Sequence, residues 1–375
     1  MQYMKQLDSL RAFAVLGVLF HHYVAWMLKP VPPFKSYIST GGMGVDLFFV
    51  LSGFLISSIL MKYKVELDDG DKKISHYLAK FYIRRTLRIF PIYYLTLIAA
   101  LLLSIDNVRG YIMWHFFYAT NFIIAHKDSW ILPVGHFWSL AVEEQFYLLW
   151  PLVILLVPRK RLFPAIVLTM MVSPVFRIVC GIVHAKTQYG SIMVLGNMDL
   201  FASGAVLAYI RVYGDLQSQQ TQTYFNICLI AGGFFCIGSL LLDSLGIGIG
   251  NSVGVFLRTF EGFFFSAIIF RASRGFKGIA GKCLEAKPLV YIGKISYGIY
   301  LYHLFVPLVL SWFATRLGVS LPGSKFGIFF VNTAGTILLA SLSWHVIEKP
   351  ISIFKDKMKA SSNTKEEPVG LLLVE

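Results

Sequence analysis

The stretch MGVDLFFVLSGFLISSILM, residues 43–61, is predominantly apolar and contains a single charged residue, Asp46. A helix needs about 20 mostly apolar residues to cross the hydrocarbon core of a bilayer. The stretch therefore predicts a transmembrane helix with an acidic residue near one end.

Nine further apolar runs of similar length lie along the chain of 375 residues. Hydrophobic residues make up 56% of the chain and charged residues 14%, whereas a soluble domain carries about 25% charged residues. We therefore expect an all-α, polytopic membrane protein with about ten transmembrane helices in one bundle. The predicted spans are residues 10–28, 43–61, 87–104, 134–157, 162–183, 192–211, 224–242, 252–270, 290–312 and 324–347.

The basic residues predict how these helices cross the membrane. Lys and Arg number 34 against 20 for Asp and Glu, and in a membrane protein such an excess indicates cytoplasmic loops rather than nucleic-acid binding. The basic segments 62–88, 159–161, 271–287 and 349–365 fall on one side if ten helices cross and both termini are cytoplasmic. That count requires residues 111–125 to be re-entrant or to lie on the outer surface. The expected location is the inner membrane of a bacterium.

The sequence predicts a single membrane domain followed by a polar tail. Residues 1–350 are expected to form one membrane domain, and the polar residues 351–375 a cytoplasmic, disordered tail. The four cysteines form no CxxC or Cys/His spacing, so neither a disulfide framework nor a metal site is predicted. The first apolar run is too long for a signal peptide and lacks a small-residue cleavage site, so we expect it to stay in the membrane.

Ionisable residues inside the spans are the first candidates for function, because each costs free energy in a bilayer. Arg11 and His22 are eleven residues apart in the first span, which places both on one helical face about 16 Å apart. His21 points about 100° away from that face. Asp46 opens the second span on its outer side, where it could pair with His22 and fix the tautomer of the ring. The alternative for Asp46 is a simple charge at a helix N-terminus.

A group of arginines precedes the third span. Arg84, Arg85 and Arg88 have spacings of three and four, so a helix would group their guanidinium ions at the cytoplasmic face. Such groups bind phosphate in a bidentate manner. They also anchor helices to anionic lipid, and the spacing alone favours neither explanation.

The fourth span carries a polar face. His136, Ser139, Glu143 and Tyr147 follow one another at spacings of three and four and therefore share one side of a helix. Glu144 is expected on the neighbouring side, among leucines. Two adjacent glutamates in an apolar, aromatic run are not a solvated surface, so we expect acid–base chemistry there and contacts to substrate from the other polar side chains.

Other polar residues are weaker candidates. They include Arg177, Asp199, His303, His345 and Glu348, while Arg258 and Glu261 are expected to neutralise each other. The tyrosines near the ninth span are expected to form an interfacial belt and packing contacts; they are Tyr291, Tyr297, Tyr300 and Tyr302.

Seven sequence blocks, in order and at their observed separations, together resemble the acyltransferase 3 family of membrane acyltransferases. The resemblance extends from residue 7 to about residue 350. The blocks are LRxxAVLxVLFHH, GxxGVDLFFVLSGFLI, RRxxRIFPxYY, HFWSLAVEEQFYLLWP, MDLFASGAVLA, ISYGIYLYH and IEKP. The resemblance implies a ten-helix protein that transfers an acyl group, usually acetyl from acetyl-CoA, to sugar hydroxyls of exopolysaccharide, lipopolysaccharide O-antigen, peptidoglycan or related glycans.

The resemblance also implies roles for individual residues. It makes His22 the essential histidine of the family and Arg11 the arginine of the same motif. It associates the arginines of residues 84–88 with the CoA donor and identifies residues 143–144 as the glutamate pair of the family. The chain departs from the pattern at Asn197, where we expect a basic residue. It also lacks the extracytoplasmic hydrolase-like domain of some members, so no second transfer step is expected within the chain.

These residues suggest a mechanism. His22, oriented by Glu143 or Asp46, would remove the proton from an acceptor hydroxyl as that hydroxyl attacks the thioester. Ser139 or Trp138 would stabilise the oxyanion. An acyl-histidine intermediate is an open alternative. Acyl-CoA is expected as a donor substrate, with no permanently bound cofactor or metal.

Two other classes of protein fit part of the pattern. A secondary transporter or flippase of a glycan or anionic metabolite would also need many helices with internal charges, but we find no repeat or pair of broken helices. A haem-binding redox protein would use His22, His136 or His303, but these residues lack the spacing of a haem site.

Overall fold

The computed structural model describes residues 3–25, 40–70, 72–186, 188–244 and 251–353, and their secondary structure is helical, with no strand among them. The expected all-α class is confirmed. The helices are α1 Lys5–Phe20, α2 Thr40–Asp68, α3 Ile74–Leu102, α4 Asp106–Gly110, α5 Ile112–Phe116, α6 Thr120–Lys127, α7 Phe137–Leu156, α8 Arg159–Ile182, α9 Tyr189–Ile192, α10 Met198–Tyr213, α11 Gln219–Ser244, α12 Asn251–Arg274, α13 Gly278–Leu284, α14 Lys287–Lys294, α15 Ser296–Tyr302, α16 Val306–Leu317 and α17 Lys325–Ser343.

Within the described ranges, six helical segments are long and apolar enough to cross a membrane. They lie in α2, α3, α7, α8, α11 and α17 with its continuation to Ile353. The pair α15 and α16, bent by 59°, would make a seventh. The chain is therefore a polytopic integral membrane protein. The helices α1 and α10 have only 16 residues each, and α12 carries several charges. These three helices are therefore not among the candidate membrane spans.

Helix α2 lies at the centre of the bundle and packs against α1, α7, α10 and α12. Two glycines allow its close approach to α10. A Cβ atom on Gly53 would lie 2.0 Å from the carbonyl oxygen of Phe201, and one on Gly204 would lie 2.1 Å from that of Val50. Small residues that let two backbones meet are typical of helix packing in membranes, where close van der Waals contact replaces the hydrophobic effect.

The C-terminal helices return to α1. Helix α14 lies against α1 so closely that a Cβ atom on Gly293 would lie 1.8 Å from the carbonyl oxygen of Asp8. After α1 the chain continues as a π-helical turn, His21–Ala25, which contacts α17. Such turns often occur at functional sites. The arrangement brings the C-terminal end of the first helix next to the break between α15 and α16.

Residues 106–127 form only the short helices α4, α5 and α6, of which the longest has eight residues. None is long enough to span a bilayer. Asn121 and Gln145 exchange hydrogen bonds of 3.2 and 2.9 Å, which tie this segment to α7. The four cysteines are free thiols. Of the predicted tail, residues 354–375 lie outside the described part of the chain.

Candidate active site

A cavity of about 100 Å³ lies between α1, α2, α3, α7 and the start of α15. Its wall combines basic, acidic and hydroxyl side chains from sequence blocks that are far apart in the chain. The polar lining residues are Arg11, Ser52, Arg85, Arg88, Ser139, Glu143, Glu144, Tyr147, Ser296, Tyr297 and Tyr300. Three members of the predicted polar face of the fourth span therefore point into a shared interior space, and His136 is not among the lining residues.

The two glutamates of α7 differ in their contacts. The Ser52 hydroxyl donates a hydrogen bond of 2.6 Å to Oε1 of Glu143, and the Tyr147 hydroxyl donates one of 3.0 Å to Ser52. Oε1 of Glu144 is buried and has no hydrogen-bond partner among the described residues. Glu144 lines the cavity together with Leu140, its expected neighbour on the helix, because the cavity is broad enough for two neighbouring rows of α7 to line it.

The three arginines of α3 separate. The Arg85 guanidinium lies 4.9 Å from the centre of the Tyr147 ring, and Arg88 lines the cavity beside it. Arg84 instead lies beside the Tyr63 hydroxyl on α2. The predicted group of three is therefore a pair, because Arg84, about 6 Å along the helix axis from Arg88, meets Tyr63 of α2 and not the cavity.

A second cavity, of about 200 Å³, adjoins the first. Arg11, Arg88 and Tyr297 line both of them. The second cavity also contains Lys294 and Glu348. Arg11 is held there by an ion pair of 2.6 Å with Asp8. The shared arginines thus stand between two polar cavities, each of which contains both basic and acidic side chains.

Three histidines, none of which is among the residues that line the two cavities, form a separate cluster next to Tyr300. The rings of His22 and His303 are 4.8 Å apart, and those of His136 and His303 are 4.6 Å apart. Nε2 of His303 lies 3.2 Å from Nδ1 of His22. His303 and His136 are buried, whereas His22 is only partly covered. The sequence ranked His303 as a minor candidate, although its position at the end of the ISYGIYLYH block was a usable signal.

The carboxylates expected to orient His22 lie elsewhere. Asp46 forms an ion pair of 3.4 Å with Arg258, so its predicted pairing with His22 is wrong. Arg258 also lies close enough to Glu261 to interact with it electrostatically. Glu143 follows His136 by seven residues on α7, which places it about 10 Å along the helix axis from the level of the histidines. The observed partner of His22 is another histidine.

Two hydroxyls connect the cavity with the histidines. The Ser139 hydroxyl lies 2.5 Å from that of Tyr300, and both side chains line the cavity. The Tyr300 hydroxyl also donates to the carbonyl oxygen of His136 at 3.1 Å. Tyr300 is buried, which agrees with the packing contacts expected for these tyrosines and not with an interfacial position. Trp138 packs edge-on against Phe49, with 6.0 Å between the ring centres.

Asn197, the position that departs from the family pattern, is engaged within the protein. Its side-chain oxygen accepts a hydrogen bond of 2.6 Å from Arg258. The neighbouring Asp199 accepts hydrogen bonds from Arg177 and from the Thr259 hydroxyl. This buried network joins α8, α10 and α12. Its side chains are bonded to one another, so they hold the three helices together.

Comparisons with known proteins give one consistent result. A family model described as an acyltransferase domain matches residues 4–345 of the chain. Peptidoglycan O-acetyltransferase OatA of Listeria monocytogenes is 30% identical over 382 residues, which cover 93% of this chain and 56% of the relative. YrhL of Bacillus subtilis, provisionally named for the same activity, is 30% identical and covers 93% of this chain and 55% of its own length.

A Staphylococcus aureus relative, SAS0844, provisionally named as an O-acetyltransferase, is 30% identical over 386 residues, with coverage of 96% and 59%. The chain thus spans a little over half the length of these relatives. No solved structure matches the chain with significance.

Proposed function

Because the chain belongs to the acyltransferase 3 family, we propose that it transfers an acyl group, acetyl from acetyl-CoA, to a hydroxyl of a cell-surface or lipid-linked carbohydrate. The observation that carries this proposal is a cavity lined by Arg88, Glu143 and Ser139, which is connected to His22 by contacts from Ser139 to Tyr300, from Tyr300 to His303 and from His303 to His22. Peptidoglycan is the first acceptor to test, since it is the acceptor named for the Listeria relative.

The proposed topology has ten spans and cytoplasmic termini. In addition to the long apolar helices, α1 with its π-helical turn, α10 and α12 would cross, and α10 is packed among α2, α8 and α12 in support of this. Arg85 and Arg88 then lie in the cytoplasmic half of α3, and the histidines lie toward the outer face. The enzyme would reside in the inner membrane of a bacterium.

The donor would bind from the cytoplasmic side. Its phosphates would be held by Arg88 and Arg11, with Lys294 adding charge in the second cavity, because guanidinium groups bind phosphate by paired hydrogen bonds. Arg85 would guide the pantetheine arm inward. A cavity of about 100 Å³ accommodates the acetyl thioester end of the donor and not the whole molecule.

Transfer would take place near Ser139. His22 accepts the proton of the acceptor hydroxyl while the hydroxyl oxygen forms a bond to the thioester carbonyl carbon. The carbon–sulfur bond then breaks, and the CoA thiolate receives the proton from His22. The Ser139 hydroxyl, which lines the cavity, would donate to the developing oxyanion. Tyr300 is bonded to Ser139 and stands between the cavity and His22, so its side chain would move for the reactants to meet.

A purified preparation of the full chain in lipid nanodiscs tests the proposal. It is incubated with labelled acetyl-CoA and peptidoglycan fragments or membrane glycans, and thioester cleavage and label transfer are measured. Wild type should transfer label and His22→Ala should not. Label on the denatured protein that is absent from His22→Ala would identify the acyl-histidine route. If acetyl-CoA neither binds nor turns over, the donor assignment fails and a transporter or flippase becomes the better explanation.

A further inference from the structure

His303 follows α15 at the break before α16, and its side chain is fully buried. Each of its ring nitrogens faces one partner. Nδ1 lies 2.6 Å from the carbonyl oxygen of Tyr300, and Nε2 lies 3.2 Å from Nδ1 of His22. A neutral imidazole has one N–H donor and one bare acceptor nitrogen, so these partners determine where the protons are.

A carbonyl oxygen only accepts hydrogen bonds, so Nδ1 of His303 must carry the proton that is donated to Tyr300. Nε2 of His303 is then the bare acceptor, and Nδ1 of His22 must carry a proton. The same Nδ1 lies 3.1 Å from the carbonyl oxygen of Val18, a second acceptor that requires the same assignment. The opposite arrangement would set a bare nitrogen against a carbonyl oxygen at both histidines.

The π-helical turn that contains His22 also contacts the backbone of His303. Tyr23, next to His22, donates its hydroxyl hydrogen bond to the carbonyl oxygen of His303 and lies 2.8 Å from the Thr336 hydroxyl. Two consecutive side chains of this turn therefore contact His303, one at the ring and one at the backbone. The distance between the His22 and His303 rings is fixed by these two contacts.

His136 does not take part in this hydrogen bonding. Its Nε2 lies 3.2 Å from the carbonyl oxygen of Leu301, so that nitrogen is the donor, and its Nδ1 has no hydrogen-bond partner among the described residues. The ring of His136 packs against His303 in an edge-on geometry. His303 thus has His22 as its one ring-to-ring hydrogen-bond contact among the histidines described.

We propose that His303 is a positioning residue that holds His22 as the Nδ1–H tautomer and so presents the bare Nε2 of His22 to the acceptor hydroxyl. The inference rests on the proposed function, in which His22 is the base. The neutral ring of His303 does for His22 what a carboxylate does for the histidine of a hydrolase triad, namely fix the tautomer and the orientation. After proton transfer, Nε2 of His303 still accepts the hydrogen bond from the charged His22.

Two substitutions at one position separate positioning from packing. The amide oxygen of His303→Gln can accept the hydrogen bond from Nδ1 of His22, whereas His303→Leu offers no acceptor. We expect His303→Leu to lower kcat about 100-fold with KM for acetyl-CoA within about threefold, and His303→Gln to recover at least tenfold of that loss. His345→Gln, at an exposed histidine bonded to Ser341, should match wild type. Full activity in His303→Leu, or equal losses in the Leu and Gln variants, would overturn the proposal.

A spectroscopic measurement tests the tautomer without any turnover. In protein labelled with ¹⁵N-histidine, the signals of His22 are assigned by their loss in His22→Gln. We expect a pyrrole-type Nδ1 and a pyridine-type Nε2 for His22 in wild type. In His303→Leu, where the Val18 carbonyl oxygen is left as the acceptor for Nδ1, we expect a larger share of the Nε2–H tautomer. An Nε2–H tautomer in wild type, or an unchanged tautomer in His303→Leu, would contradict the inference. If wild type shows no acyl transfer, the proposed function fails while this measurement still decides the role of His303.

Discussion

At the scale of single residues, neighbouring positions on one helix have different surroundings. Arg84 lies beside a tyrosine of α2, whereas Arg88, one turn further, lines both cavities. The two side chains are chemically identical, so only their different positions make Arg88, and not Arg84, the candidate for the proposed donor contact.

Replacing Arg88 with lysine should raise KM for acetyl-CoA about tenfold, because a lysine cannot form the paired hydrogen bonds of a guanidinium with phosphate. Arg84→Lys, the matched control, should change KM by less than about twofold. Initial rates at several donor concentrations measure both effects. Equal changes in the two variants would argue against donor phosphates at the cavities.

His115, in the short helix α5, gives a prediction about pH. Burial lowers the pKa of His115 to about 4, below the ordinary value of about 6.5. As the pH falls, His115 therefore binds a proton at a higher pH in the unfolded chain than in the folded protein. The contribution of neutral His115 to the free energy of unfolding is fully present above about pH 6.5. It is lost as the pH falls from 6.5 toward 4, and the loss is about 2 kcal/mol at pH 5.

Thermal unfolding in detergent at pH 8 and pH 5 measures this effect. The fall in melting temperature between the two pH values should be smaller in His115→Gln than in wild type, because the variant cannot take up the proton. An equal fall in both proteins would show that another group dominates the acid sensitivity.

At the scale of elements, the contact between α2 and α10 positions the whole site. Ser52 of α2 is bonded to Glu143 of α7, and Gly53, the next residue, meets the backbone of α10. A shift of α2 away from α10 would therefore also displace the Ser52 hydroxyl from the cavity.

Gly53→Ala should lower stability by about 1–3 kcal/mol through overpacking and reduce acyl transfer with it. Gly238→Ala in α11, where an added Cβ would meet no atom within 4 Å, should leave both unchanged. Thermal melting followed by size-exclusion chromatography measures the first effect. A Gly53→Ala protein as stable as the Gly238→Ala protein would show that the helices separate without cost.

At the scale of the whole molecule, the proposed site connects two compartments. In the proposed topology, the arginines of α3 and the basic connections belong to the cytoplasmic side, and the histidines lie toward the other side. This arrangement would let a cytoplasmic donor meet an acceptor that arrives from the outer leaflet or outer face.

Labelling of cysteines in intact cells with a membrane-impermeant maleimide tests that arrangement. Cys283 is exposed and belongs to a proposed cytoplasmic connection, so it should react only after the membrane is permeabilised. Lys127→Cys in a Cys283→Ser background should react in intact cells. Reversed labelling of the two positions would invert the proposed orientation and place the arginines outside.

The sequence alone determined the all-α membrane class, because apolar runs of helical length are local and a bilayer requires each backbone to satisfy its own hydrogen bonds. It also predicted the polar face of α7, since spacings of three and four depend only on the geometry of one helix. Only the tertiary structure decided that His22 meets His303, 281 residues away, that Asp46 meets Arg258, and that Arg84 is outside the cavity. The physical reason is that contacts between helices depend on how their surfaces pack, and no local spacing encodes which faces will meet.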